Sequence, residues 1–398
     1  MSATRDRVVL AAVVFAVLLA QVLLYPGIDT LVGALGADAR FDASMWFLAA
    51  EFAAFVAFAP LWGAASDATG RRSPYITASA LAGAVGYLAL AFLPTALDLS
   101  VPAVLGLRAL QGAATVGAFS LAMTMLMDLE GGHGRNMGAA GIAIGLGTAL
   151  GAPLGGQLYE IDPFYPLFGA AGLLVVVGLG GLVLTDRPPA SEAAGIAALV
   201  VGIRHTPVLF LPFAFGFLDR LTAGFFALVG TLYFRTAFSL GPGETGLMLA
   251  LFFAPFALLQ YPMGILSDRI GRTVPVVLGS LCYGLGVVAV GQAPSLALAG
   301  VAMVAVGVLG ALMAPATMAL VTDLAPAAER GVAMAGFNAF GSVGFLAGIL
   351  LGGTVANTAG FGVAFLVTGA VEVLIAVATL PIFLRMDVDR TGVFTGDS

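Results

Sequence analysis

The chain is written in long apolar runs broken at intervals by short polar stretches. A helix needs ~20 mostly apolar residues to cross a hydrocarbon layer. Twelve runs meet that length, at 8–31, 45–65, 74–95, 101–127, 137–158, 163–185, 207–233, 243–266, 274–293, 295–321, 332–355 and 361–384. They do not alternate in polarity as barrel strands do. Backbone polar groups in lipid must be satisfied within the segment, so each run is a predicted helix. The predicted class is an all-α membrane protein. The longest connection, 187–206, divides the runs six and six, giving one bundle over 1–186 and another over 207–398.

Arginine placement predicts the orientation. With the N-terminus inside, Arg5, Arg7, Arg71, Arg72, Arg135, Arg187, Arg204, Arg269, Arg272, Arg330, Arg385 and Arg390 all fall on the cytoplasmic side. Only Arg40 and Arg235 fall outside, and Arg108 and Arg220 lie within runs. This is a positive-inside pattern with both termini cytoplasmic, as expected in a cell membrane. The apolar run after Arg5-Asp6-Arg7 is one of many and reads as the first span, not as a cleavable signal.

The halves repeat. Gly63-Ala-Ala-Ser-Asp67-Ala-Thr-Gly70-Arg71 recurs as Gly264-Ile-Leu-Ser-Asp268-Arg-Ile-Gly271-Arg272, a shift of 201 residues. Asp128 and Arg135 recur as Asp323 and Arg330, and Gly147, Gly151 and Gly155 recur as Gly344, Gly348 and Gly352, at shifts of 195 and 197. Two duplicated six-helix halves with a substrate site between them are a transporter architecture.

Composition narrows the chemistry. The chain is 60% hydrophobic and 10% charged, its sixteen basic residues are all arginine, and its formal charge is −6. That balance excludes a basic nucleic-acid face. One cysteine, Cys282, and two isolated histidines in apparent loops, His133 and His205, provide no disulfide, metal cluster or catalytic set. No phosphate-binding loop follows a strand, so neither ATP-driven transport nor an enzyme is predicted. No cofactor is expected.

The repeated turns carry the first candidate site. Gly63, Gly70, Gly264 and Gly271 allow a tight turn and close helix approach. Arg71 is within reach of Asp67 or Asp128, and Arg272 of Asp268 or Asp323; the acids can also accept from exposed N–H groups at a helix start. Such clusters can latch one conformation. These turns resemble the cytoplasmic signature of the major facilitator superfamily, and with the span count, central loop and duplication the resemblance covers nearly the whole chain. It implies two bundles rocking about a central cavity lined by the first, fourth, seventh and tenth helices.

Arg108-Ala-Leu-Gln111-Gly in the fourth run resembles a second signature, whose arginine is implicated in proton coupling in drug–proton antiporters; snorkelling and structural anchoring remain alternatives for Arg108. The fifth run, with Gly147, Gly151, Pro153, Gly155 and Gly156, is similar to the antiporter signature, except that Ala152 separates the glycine from the proline. Glycine packing alone is the other reading of that stripe.

Five charges lie within runs: Glu51, Arg108, Asp219, Arg220 and Glu372. Intramembrane charges are costly and mark functional or paired sites. Asp219 is the first candidate to carry a proton and Glu51 the second. Arg220 could meet an anionic group or an acid partner, and adjacent helical residues point about 100° apart, so the two should not face each other. A static ion pair is the alternative. Gln21 stands near the midplane of the first run, where related exporters have an acid, and Glu372 is assigned to a packing or interhelical role. The reading is alternating-access secondary transport: proton-coupled export of a small, drug-like solute by a monomer in the bilayer, with an uptake symporter, a facilitator or a non-transporting scaffold as alternatives.

Overall fold

The computed structural model describes residues 2–37, 41–130, 133–186, 206–326 and 329–385, and among these the regular structure is all helical, with no strand. The helices are α1 (Ser2–Val22), α2 (Ile28–Ala34), α3 (Phe41–Thr69), α4 (Ser73–Ala96), α5 (Val101–Asp128), α6 (His133–Ile161) and α7 (Tyr165–Gly181), followed by α8 (Pro207–Ala237), α9 (Pro242–Ile270), α10 (Val274–Gly291), α11 (Leu296–Leu324), α12 (Arg330–Ala359) and α13 (Phe361–Arg385). Ten of them are long and apolar enough to cross a membrane, and α7 is a shorter apolar helix. Residues such as Leu110, Val176, Val301 and Leu374 are exposed on the outside, a surface that suits lipid. The loop 187–205, with Arg187, Arg204 and His205, lies outside the described residues, as do Arg40 and Arg390. His133 begins α6 instead of lying in a loop.

The first run does not form one helix. It breaks between Val22 and Ile28, where Pro26 lacks an N–H and Gly27 is conformationally free. The freed carbonyl of Leu24 accepts from the Tyr159 hydroxyl at 3.0 Å. That ring fills the space beside Gly27, where an added Cβ would lie 2.6 Å away. A π-helical turn over Phe226–Gly230 interrupts α8.

The side of the molecule where α1 begins and α13 ends is called proximal here, and the opposite side distal. In the first half, α1 packs on α5, α6 and α7, and α5 on α3 and α4; in the second half α8 packs on α11 and α12, and α11 on α9 and α10. The most extensive packing between the halves is that of α6 with α9 and of α3 with α12.

The repeated glycines do the same job in each half. On α6, Gly147 and Gly151 abut Phe15 and Val22 of α1, and Gly155 abuts Leu23 just beyond it; on α12, Gly344, Gly348 and Gly352 abut Phe217, Leu221 and Phe225 of α8. The other face of α6 meets α9, with Gly145 against Ala257 and Gly156 against Pro242. Pro153 lies inside a continuous α6, and its Cα and the Ala152 carbonyl oxygen pack on Gly246 of α9.

Candidate functional site

Glu51, Arg108, Gln111 and Gln21 come together inside the first half. α3 and α5 approach so closely at Gly112 that an added Cβ would lie 2.9 Å from the Glu51 carbonyl oxygen. This places the Arg108 guanidinium on the Glu51 carboxylate, with Nη2 donating to Oε2 at 2.5 Å, both side chains 0% exposed. Arg108 Nη1 donates to Gln111 Oε1 at 2.5 Å, and Gln111 Nε2 to Thr115 Oγ1 at 2.8 Å. The guanidinium also lies 4.8 Å from the ring centroid of Phe47 and 5.5 Å from that of Tyr87. Gln21 of α1 and Tyr87 of α4 lie against the same carboxylate. Full burial and pairing exclude snorkelling by Arg108.

Asp219 and Arg220 turn to different surroundings but stay in touch. The long arginine side chain curls back so that Nε is 3.6 Å from Asp219 Oδ2, correcting the expectation that neighbours on a helix cannot face each other. Asp219 lies within electrostatic reach of Tyr283 of α10 and Glu372 of α13. Glu372 is buried and accepts from Ser280 Oγ at 2.5 Å. The hydroxyls of Tyr283 and Thr222 are buried nearby. A polar cluster thus links α8, α10 and α13. The sequence reading missed Tyr283, Ser280 and Thr222 because hydroxyls are unremarkable in an apolar helix.

At the proximal turns, Arg272 reaches both acids of its half: Nη1 donates to Asp268 at 2.6 Å and Nε to Asp323 at 3.0 Å. The first half differs. Arg71 is 68% exposed and only 3.6 Å from Asp186 at its nearest, whereas Arg72 donates to Asp128 at 2.5 Å and to Asp67 at 3.5 Å. The reason is the turn. Gly70 takes φ +65°, and Arg72, the residue before α4, is held under it. The acid that accepts from the free N–H groups at this helix start is Asp186, at 2.9 Å from the Arg72 nitrogen and 2.7 Å from that of Ser73. The glycines divide in the same way. Gly70 and Gly271 (φ +86°) make the turns, while Gly63 faces open space and Gly264 only touches Pro315 at 3.6 Å, so neither sits at a close helix approach. Arg72→Ala is expected to cost about 1–3 kcal/mol, because it strands two carboxylates and a buried site. The exposed Arg71→Ala should stay within about 0.5 kcal/mol. Unfolding in detergent micelles compares the two, and equal losses would return the role to Arg71.

The distal side joins the halves through contacts that the charge pattern did not reveal. Arg235 at the end of α8 donates to the Asp29 carboxylate of α2 at 2.7 Å and to Thr30 Oγ1 at 2.9 Å. Glu160 of α6 accepts from the Gly243 nitrogen of α9 at 2.9 Å, and Asn357 of α12 donates to Asp42 of α3 at 2.8 Å. Deeper in, Phe52 of α3 stacks on Phe345 of α12 with centroids 4.1 Å apart. On α12 one stripe runs Gly353, Ile349, Phe345, Ser342, Asn338. Gly353 meets Met45 and Phe345 meets Phe52, but Ser342 and Asn338 are exposed. A cleft between the halves therefore opens on the proximal side of Phe345.

The sequence profile of the Major Facilitator Superfamily matches residues 10–238 and 212–394. A transporter of this type from Methanocaldococcus jannaschii is 28% identical over 165 residues, 40% of this chain and 42% of that one. The niacin transporter NiaP of Acinetobacter baylyi is 30% identical over 190 residues, 47% of this chain and 43% of that one. The chain thus spans less than half the length of these two relatives. Among solved structures, a bacterial homologue of the human lysosomal transporter Spinster, inward-facing and unoccupied, has a TM-score of 0.79 at 14% identity, covering 100% of this chain and 99% of that one. A D-xylose–proton symporter follows at 0.74 and 15%, covering 95% and 96%. Helix packing and sequence profile agree: the chain belongs to the Major Facilitator Superfamily, as a multi-pass membrane protein of a transporter family and not an enzyme.

Proposed function

We propose that the protein is a secondary transporter working by alternating access in the cell membrane. It crosses the bilayer twelve times in two six-helix bundles, acts as a monomer, and has both termini and its proximal side in the cytoplasm. It exports a small solute in exchange for protons, in the manner of the drug–proton antiporter branch. One observation carries the reading. The named polar contacts between the halves lie at the distal side, at Asp29–Arg235, Glu160–Gly243 and Asp42–Asn357, while each proximal ionic cluster ties helices of a single half. Breaking the distal contacts and closing the proximal cleft would pass a solute across.

In this scheme the clusters of Arg72 and Arg272 hold the proximal helices of each half in register while the halves rock. Asp219 carries the proton: it is 15% exposed and lies within electrostatic reach of Glu372. Glu51 is the second candidate, but its bond to Arg108 must open before it can exchange a proton. In proteoliposomes with a trapped pH dye, a transported solute evokes proton movement, and Asp219→Asn abolishes the pH dependence of flux while sparing solute exchange. Coupling that persists in Asp219→Asn moves the role to Glu51.

A second reading, uptake with protons, is supported by the likeness of fold to the D-xylose–proton symporter and by the kinship with a niacin transporter. Direction separates the two, because collapsing the proton gradient raises internal solute for an exporter and lowers it for an importer.

A further inference from the structure

The charges within the helices are not equally available to a solute. Arg108 is closed off with Glu51 at 0% exposure. Asp219 is only 15% exposed. Arg220 is different, with a side chain that is 44% exposed. Its place follows from its neighbours. A Cβ added to Gly341 of α12 would meet Arg220 Cγ at 3.1 Å, and Gly341 directly precedes the exposed Ser342 on the cleft face of that helix. Phe213, two turns before Arg220 on the same face of α8, packs with Val321 of α11 and Phe337 of α12. Arg220 therefore continues the line between α11 and α12 and emerges at the cleft. Its ionic contact with Asp219, at 3.6 Å, is too long for a hydrogen bond.

A guanidinium offers five donors in a planar fork that matches a carboxylate. In a cleft its field is less screened than in bulk water and concentrates anions. The exposed Asn338, one turn from Gly341 on the same helix, has an amide that can add a further donor. We infer that the cleft takes an organic anion, a solute bearing a carboxylate or similar acidic group, with Arg220 as its counter-charge and Asn338 as an auxiliary donor. The inference rests on the transporter reading and specifies the solute class of its central cleft. An anionic solute would also compete with Asp219 for Arg220, so that its arrival frees that acid.

The test needs no transport. In a Cys282→Ser background, Ser342→Cys is labelled in detergent with a negatively charged sulfonate thiosulfonate and with its trimethylammonium counterpart. The anionic reagent is expected to react faster relative to the cationic one, and Arg220→Gln to lower that ratio about tenfold, from a unit charge a few ångströms away in a partly screened cleft. Arg220→Lys should keep the ratio, which separates loss of charge from loss of fold. Benzoate should slow labelling where benzamide does not, and Arg220→Gln should remove the difference. A ratio unchanged by Arg220→Gln, an unreactive Ser342→Cys, or equal effects of benzoate and benzamide overturns the inference. If those fail while proteoliposomes still exchange some other solute, only the anion class falls. If labelling succeeds and no solute is exchanged, it is the transporter reading that fails.

Discussion

Glu51→Leu is expected to destabilise the folded protein by about 3–5 kcal/mol, because it leaves the Arg108 guanidinium buried without a counter-charge. Both side chains are wholly enclosed, and the arginine reaches no water in this conformation. What remains around it is one bond to Gln111 and the faces of Phe47 and Tyr87. These cannot replace a carboxylate, since a cation held over an exposed ring gains only about 0.5–1 kcal/mol, rising to ~2 when desolvated. Arg108→Leu should do comparable damage by stranding Glu51. The double variant Glu51→Leu/Arg108→Leu should lose far less than the sum, as apolar replacements of buried pairs are often neutral. Unfolding of the purified protein by titration from mild into denaturing micelles checks all three. Additive losses would mean that the two residues do not act as a pair. A double variant that folds but no longer transports would show the pair is kept for its switching role rather than for stability.

Much of this site was legible in the sequence. An arginine and a glutamate inside apolar runs are so costly alone that each implies a partner. Apart from the first run, which breaks into α1 and α2, the runs also located the helices to within a few residues, because lipid leaves the backbone no other choice. Pairing was less legible. Glu51 and Arg108 lie 57 residues apart and meet only through the close approach at Gly112. The repeat misled at Arg71, since the duplication aligns it with Arg272 while the fold gives its place to Arg72. Register across a turn depends on where the next helix is capped, and Asp186, the capping acid, comes more than a hundred residues later. The distal pair Asp29–Arg235 was hidden for a similar reason. Both residues lie at helix ends where a charge costs little, so nothing marked them as partners.

The largest effect outside the charged sites is expected at Gly348. A Cβ there would lie 2.0 Å from the Leu221 carbonyl oxygen and 2.8 Å from the Phe225 nitrogen of α8. The obstacles are backbone atoms of a packed helix, so no rotamer change can relieve them and α8 and α12 must separate. Gly348→Leu should therefore exceed the roughly 1–3 kcal/mol of an ordinary overpacked site and leave little folded protein. Even Gly348→Ala should reach the upper part of that range. Gly63→Ala offers the contrast, because Gly63 lies inside α3 with nothing within 4 Å. Alanine is the better helix former by about 1 kcal/mol, so this variant should be as stable as the parent or more so. Expression and unfolding of the three variants decide the point, and a stable Gly348→Leu would show that α8 and α12 do not pack through this stripe. Gly63 belongs to the repeated turn motif, yet a Cβ added there would meet nothing in the cleft-open arrangement. If its small size serves the opposite arrangement, Gly63→Ala should slow solute exchange without loss of stability. Unchanged exchange would place the function of that turn in Asp67, Gly70 and Arg72 alone.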